Sequence, residues 1–99
     1  MNIQDIKRQI LAVIQVNLTL LHYKVFIFGS RVNGQGSERS DIDIGIEADD
    51  KIPSNIMEDI KAELEKIPTL KKFDVVDFKD VNDDFREVAL KKIELLYER

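Results

Sequence analysis

The sequence predicts an α+β domain, an α/β sandwich in which one small mixed β-sheet packs against helices. Stretches of helical periodicity are interleaved with short β-branched and aromatic runs. One of those runs is apolar almost throughout while the next alternates strictly, so the sheet has a buried interior and a chemically distinct face. Ninety-nine residues with 43% hydrophobic content suit one packed core, so residues 1–99 are expected to form a single domain.

The first element is a helix. Ile3, Ile6, Ile10, Val13 and Ile14 recur at intervals of three and four, which is one buried stripe, and Asn17-Leu18-Thr19 closes it. Tyr23 to Phe28 follows as a strand buried on both faces and stopped by Gly29. Gly29 to Ser40 holds three of the four glycines and reads as loop, with room for a helical turn after Ser30. From Asp41 to Ile46 the period is two, placing Ile42, Ile44 and Ile46 on one face and Asp41, Asp43 and Gly45 on the other. Asp49, Asp50 and Pro53 mark a connection, and Asn55 with Glu58 resembles a helix cap. Ile56, Ile60, Leu64 and Ile67 form a second helical stripe, which Pro68 ends. Phe73 to Phe78 is a third strand. Phe85, Val88, Ala89, Ile93 and Leu96 then continue helical intervals to the last turn, starting from Asn82 or Asp83. The expected order is helix, strand, strand, helix, strand, helix.

Bulk charge narrows the function. Fifteen basic residues oppose nineteen acidic ones, a net charge of −4, and no basic stripe with interleaved aromatics is present. A protein whose main task is gripping nucleic-acid backbone is therefore not expected. A bound nucleotide remains compatible, because metal ions neutralise phosphates locally. The absence of cysteine removes disulfides and thiolate metal sites. The polar helical start is unlike a secretory signal, and no apolar stretch approaches a membrane span. The expected location is the cytoplasm.

The chemistry is expected where the two first strands end and begin. Carboxylates two apart on a strand, as Asp41 and Asp43 are, point the same way with Cα atoms about 6–7 Å apart. Such like charges disfavour each other unless a cation lies between them, and hard oxygen donors suit Mg²⁺ or Mn²⁺. Alone, an Asp-x-Asp is more often just a polar outer face. Here the preceding strand ends in Gly29-Ser30, ten residues upstream of the pair. Glycine lets backbone approach a phosphate closely, and the serine hydroxyl can donate to it.

Gly29-Ser30, ten residues and Asp41-Ile42-Asp43, set within Phe-Gly-Ser-Arg-Val-Asn-Gly and Ser-Asp-Ile-Asp-Ile, resemble the signature of the DNA polymerase β-type nucleotidyltransferases. The short chain and Phe73–Phe78 resemble the minimal branch of that superfamily, the antitoxin partners of HEPN-domain toxins. The likeness spans about Tyr23 to Phe78. It implies a polymerase β-like core, ATP as donor, a two-metal Mg²⁺ site, and AMP transfer to a hydroxyl of the partner toxin, in this branch a tyrosine. Asp41 and Asp43 would bind metal and Gly29 and Ser30 the outer phosphates. The family's third carboxylate falls on Asp74, with Asp77 the other candidate. The two are three apart, so on a regular strand only one can join the pair. Asp74 also lies between Phe73 and Val75 in an apolar run, where a carboxylate is costly unless paired or bound to metal.

Other residues are read more plainly. His22 is structural, since no nucleophile partner is evident. Arg31 and Arg39 flank the loop and could touch phosphate or be solvated, and Ser40 could contact phosphate or cap the loop. Gly34 and Gly36 lack the dinucleotide-binding spacing. Lys71-Lys72 and Lys91-Lys92 are solvated faces, and Tyr97 belongs to the apolar side of the last helix. Two other functions compete: a binding antitoxin that neutralises its partner by contact, and a small-molecule nucleotidyltransferase, for which the chain has no acceptor-binding domain. A partner protein that completes the site is therefore expected, in a homo- or hetero-oligomer.

Overall fold

A computed structural model describes residues 2–19, 22–29 and 41–99. Helix α1 (Ile3–Asn17) begins where Asn2 Oδ1 accepts from the Asp5 amide at 2.9 Å, satisfying one of the donors that a helix start leaves free. It buries Ile6, Ile10 and Ile14 as the periodicity predicts, and closes at Leu18. Strand β1 (Tyr23–Phe28) pairs antiparallel with β2 (Ile42–Ala48). Helix α2 (Ser54–Leu64) then crosses to β3 (Phe73–Asp77), which lies parallel to β2. Helix α3 (Asp83–Leu90) starts from Asn82, whose side chain accepts from the Phe85 amide at 2.8 Å.

The last element departs from expectation. Ile93 and Leu96 do not prolong α3; Ile93–Glu98 is a strand, β4, antiparallel to β1 at the sheet edge. The spacing of Phe85, Val88, Ala89, Ile93 and Leu96 fits a helix, but Ile-Glu-Leu-Leu-Tyr also fits a pleated, half-buried surface. Pairing with the distant β1, from Phe28↔Ile93 to Lys24↔Glu98, decides between the two. Tyr97 therefore sits on a strand, its ring 5.3 Å from that of Tyr23. The start of α2 is also corrected: Pro53 is its N-cap, without a side-chain bond, and Asn55 lies inside the first turn. A proline's fixed φ suits this position, so no Asn55 cap is needed. The helix ends at Leu64, ahead of Pro68, and a turn carries Ile67 into the core.

The sheet order is β3-β2-β1-β4. Its two faces differ. Val25, Ile27, Ile42, Ile44, Ile46 and Val75 join Ile6, Ile10, Ile14, Ile60 and Leu64 in an aliphatic layer under α1 and α2. The opposite face carries Phe26, Phe28 and Phe78, with Ala89 and Leu90 of α3 packed on them. Phe26 meets Phe78 edge-on with centroids 4.8 Å apart. Gly45 lies beneath them, where an added Cβ would collide with both rings. No described helix is long and apolar enough to cross a membrane.

Candidate active site

The site is one row across the sheet. Phe28 of β1 is the register partner of Asp43, and Asp43 is that of Asp74. Register partners project to the same face, here the aromatic one, and Asp41, two positions before Asp43, shares its parity. The structure thus brings Asp41, Asp43 and Asp74 together although Asp74 comes thirty-one residues after Asp43. Burial raises the Asp43 pKa above its ordinary value, and the charges of Asp74 and Asp41 raise it further.

Asp77 takes the other face. It is 7% exposed, with Oδ2 accepting from the Ile52 amide at 2.8 Å and Oδ1 from Lys79 at 2.9 Å. It fastens the β2–α2 connection to the end of β3. Asp74, by contrast, is exposed, so the argument that its apolar neighbours would bury it does not hold. Edge position explains this, because β3 has only β2 beside it.

Gly29 closes the row at the end of β1. Its φ of 83° is left-handed, and an added Cβ would strike Asp43 Oδ2. Both the turn and the close approach require glycine there. Ser30, Arg31, Gly34, Gly36, Arg39 and Ser40 lie outside the described residues. His22 lies beside the start of β1, and Lys72 is exposed.

The donor set suits a hard divalent cation. Among the described residues, no group of three or more His, Cys, Asp or Glu side chains is arranged to hold a metal ion by itself. An open carboxylate face is what Mg²⁺ uses, since it keeps waters and takes substrate phosphates as ligands. A cleft of about 420 Å³ opens beside Asp41 and Asp74, lined also by Leu64, Ile67, Phe73, Thr69 and Lys72.

Two features of this face escaped sequence reasoning. Phe85 lies edge-on to Phe28, the register partner of Asp43, with centroids 6.0 Å apart. Glu47 of β2 forms ion pairs with Lys24 and with Arg86 of α3. Alternation in β2 could have flagged Glu47, which shares the parity of Asp43; nothing local announces Arg86 as its partner.

The chain matches the sequence model for polymerase beta nucleotidyltransferases over residues 8–99. It is 29% identical over 97 residues to a probable protein adenylyltransferase, MntA, of Haemophilus influenzae, covering 96% of this chain and 85% of that one. A toxin–antitoxin structure with AMP-PNP superposes with a TM-score of 0.79 at 19% identity, over 94% of this chain and 73% of the other. A complex of tri-AMPylated HEPN toxin with MNT antitoxin from Shewanella oneidensis gives 0.75 at 18%, over 97% and 72%. At such identities the structural likeness speaks for the fold.

Proposed function

The chain belongs to the polymerase beta nucleotidyltransferase family, and from that premise we propose that it transfers AMP from ATP to a hydroxyl, a tyrosine in particular, of a HEPN-type toxin in the cytoplasm, acting as its antitoxin. The observation that carries this reading is the row of Asp41, Asp43 and Asp74 on one sheet face, closed by Gly29. The MntA relative is named an adenylyltransferase, and structural neighbours are toxin–antitoxin complexes, one with an ATP analogue and one with an AMPylated toxin. Those names support the donor, the reaction and the class of partner.

In the reaction the acceptor oxygen bonds to the α-phosphorus, the bond to the β-phosphate breaks, and pyrophosphate leaves. Gly29 lets the outer phosphates lie against backbone, and Ser30 offers them a hydroxyl. Mg²⁺ held by Asp41, Asp43 and Asp74 would supply positive charge to the triphosphate and the departing pyrophosphate. Asp74 stands at the end of the row beside the 420 Å³ cleft, where an acceptor can approach. In this reading its carboxylate takes the hydroxyl proton.

The test is incubation of the chain with Mg²⁺, α-labelled ATP and the HEPN-domain protein of the same genome, followed by mass analysis. Label should appear on that protein and fall at least about a hundredfold when Asp41 and Asp43 both become Asn. Unchanged transfer by the double variant would refute the site. A complex that silences the toxin without any label would make the chain a binding antitoxin.

A further inference from the structure

We infer that the open edge of β3 is a docking strand: an extended segment of the acceptor polypeptide pairs with it through backbone hydrogen bonds, which brings the reacting hydroxyl to Asp74. This rests on the nucleotidyltransferase reading and deepens it by assigning the surface that receives the partner. β3 has β2 on one side and, among the described residues, no strand on the other.

The backbone bonds fix what this edge offers. The Ile42 amide donates to the Lys72 carbonyl at 2.8 Å, and the Phe78 amide donates to the Ile46 carbonyl at 2.9 Å. Successive residues of a strand turn their amides and carbonyls to alternate sides, so Lys72, Asp74, Val76 and Phe78 address β2. Phe73, Val75 and Asp77 therefore address the open side. The Asp77 carbonyl is taken by the Asp80 amide in the turn that follows. Phe73 and Val75 each keep a donor and an acceptor with no backbone partner among the described residues. A peptide backbone laid alongside completes that pattern.

Two clefts straddle the edge. The one of about 420 Å³ is lined by Phe73 and Asp74, and a second, of about 370 Å³, by Val75 and Val76. Consecutive strand residues point to opposite faces, so a cleft lined by both lies across the edge and not on one face. Helix α2 borders each, with Leu64 at the first and Met57 and Lys61 at the second. The result is a trough along β3 that ends at Asp74. A segment seated there adds one strand to the sheet, about 4.8 Å from β3. Its residue opposite Asp74 becomes the next member of the row Phe28, Asp43, Asp74. That position sets a side-chain hydroxyl beside the carboxylate proposed to take its proton.

The other edge of the sheet is built differently. The register of β4 with β1 skips Leu96, and Lys7 of α1 is ion-paired with Glu94. Such a bulge turns an edge away from further pairing. The pairing of β3 with β2 is regular, and β3 contains neither proline nor lysine. A second copy of this chain suits the edge poorly, because it would set two carboxylate-bearing strands side by side.

The experiment is amide hydrogen exchange, read by NMR, on the chain alone and in complex with the HEPN-domain protein of the same genome. The Asp74 and Val76 amides should be protected in both states. Those of Phe73 and Val75 should exchange freely in the chain alone and slow at least about tenfold in the complex. Val75→Pro removes one open-side donor while sparing the bonds to β2, as prolines on edge strands do. It should cut AMP transfer about tenfold at low partner concentration, with recovery as that concentration rises. Phe73 and Val75 amides that exchange alike in both states, or a folded Val75→Pro variant that transfers AMP as the wild type does, would overturn the docking strand alone. Slowing that appears in the chain by itself and grows with its concentration would put a second copy on the edge and overturn it too. A partner that neither binds nor takes up AMP would overturn the reading on which the docking strand rests.

Discussion

At Asp43, burial raises the carboxyl above its ordinary 3.8, and Asp74 and Asp41 add to the rise. The folded state therefore binds this proton more tightly than the unfolded chain does. Stability falls as pH climbs from the ordinary value through the raised one, and above that the penalty is fully present. Asp43→Asn removes the charge at nearly constant shape. The metal-free variant should melt a few degrees above the wild type at pH 7, with the gain shrinking toward pH 3, as thermal unfolding at both pH values would show. A lower melting point at pH 7 would mean that burial and crowding of the charge do not dominate at Asp43. At this scale much was legible. Gly29 and the Asp41–Asp43 pair stand out by local spacing, while parity says only that one of Asp74 and Asp77 can face the pair and the family's pattern points to Asp74. The packing of Phe85 on Phe28 and Phe78 was not legible, because those neighbours are far away in sequence.

Among the elements, α3 depends most on contacts outside itself. None of its residues is fully buried, so it is held by Phe85 against Phe28 and Phe78 and by the Arg86–Glu47 ion pair. Burial alone would raise the Glu47 pKa, but the hydrogen bond and charge of Arg86, with Lys24, outweigh it and hold the group below its ordinary 4.5. A depressed folded pKa gives stability that is present above the ordinary value and lost as pH falls through the folded one. Glu47→Gln should therefore cost about 1–2 kcal/mol at pH 7, and denaturant titrations should show the gap closing at acid pH. An equal loss at both extremes would mean that packing and not charge is at work. The elements also show where sequence reading stops. Helices α1 and α2 and strands β1 to β3 announce themselves through their own periodicity. Strand β4 does not, because Ile93 and Leu96 fit a helical stripe and only the partner strand β1 overrules it.

For the molecule as a whole, the sheet is a partition. Its aliphatic side, under α1 and α2, supplies most of the fully buried side chains; its aromatic side carries the carboxylate row. Ile10→Val, in the middle of the aliphatic layer, should lower stability by about 1 kcal/mol and leave the rate of AMP transfer within about twofold of wild type. A large loss of transfer in a variant that is still folded would show that the two sides communicate through the sheet. If they do not, the partition bears on how such a domain can change over generations. Aliphatic residues on the hidden side can be exchanged for others of like volume while the reacting side stays untouched. The outer surface around the carboxylates can in turn be altered to suit a new acceptor without disturbing the interior. Two histories of substitution, one governed by volume and one by recognition, can then run side by side in a single short chain.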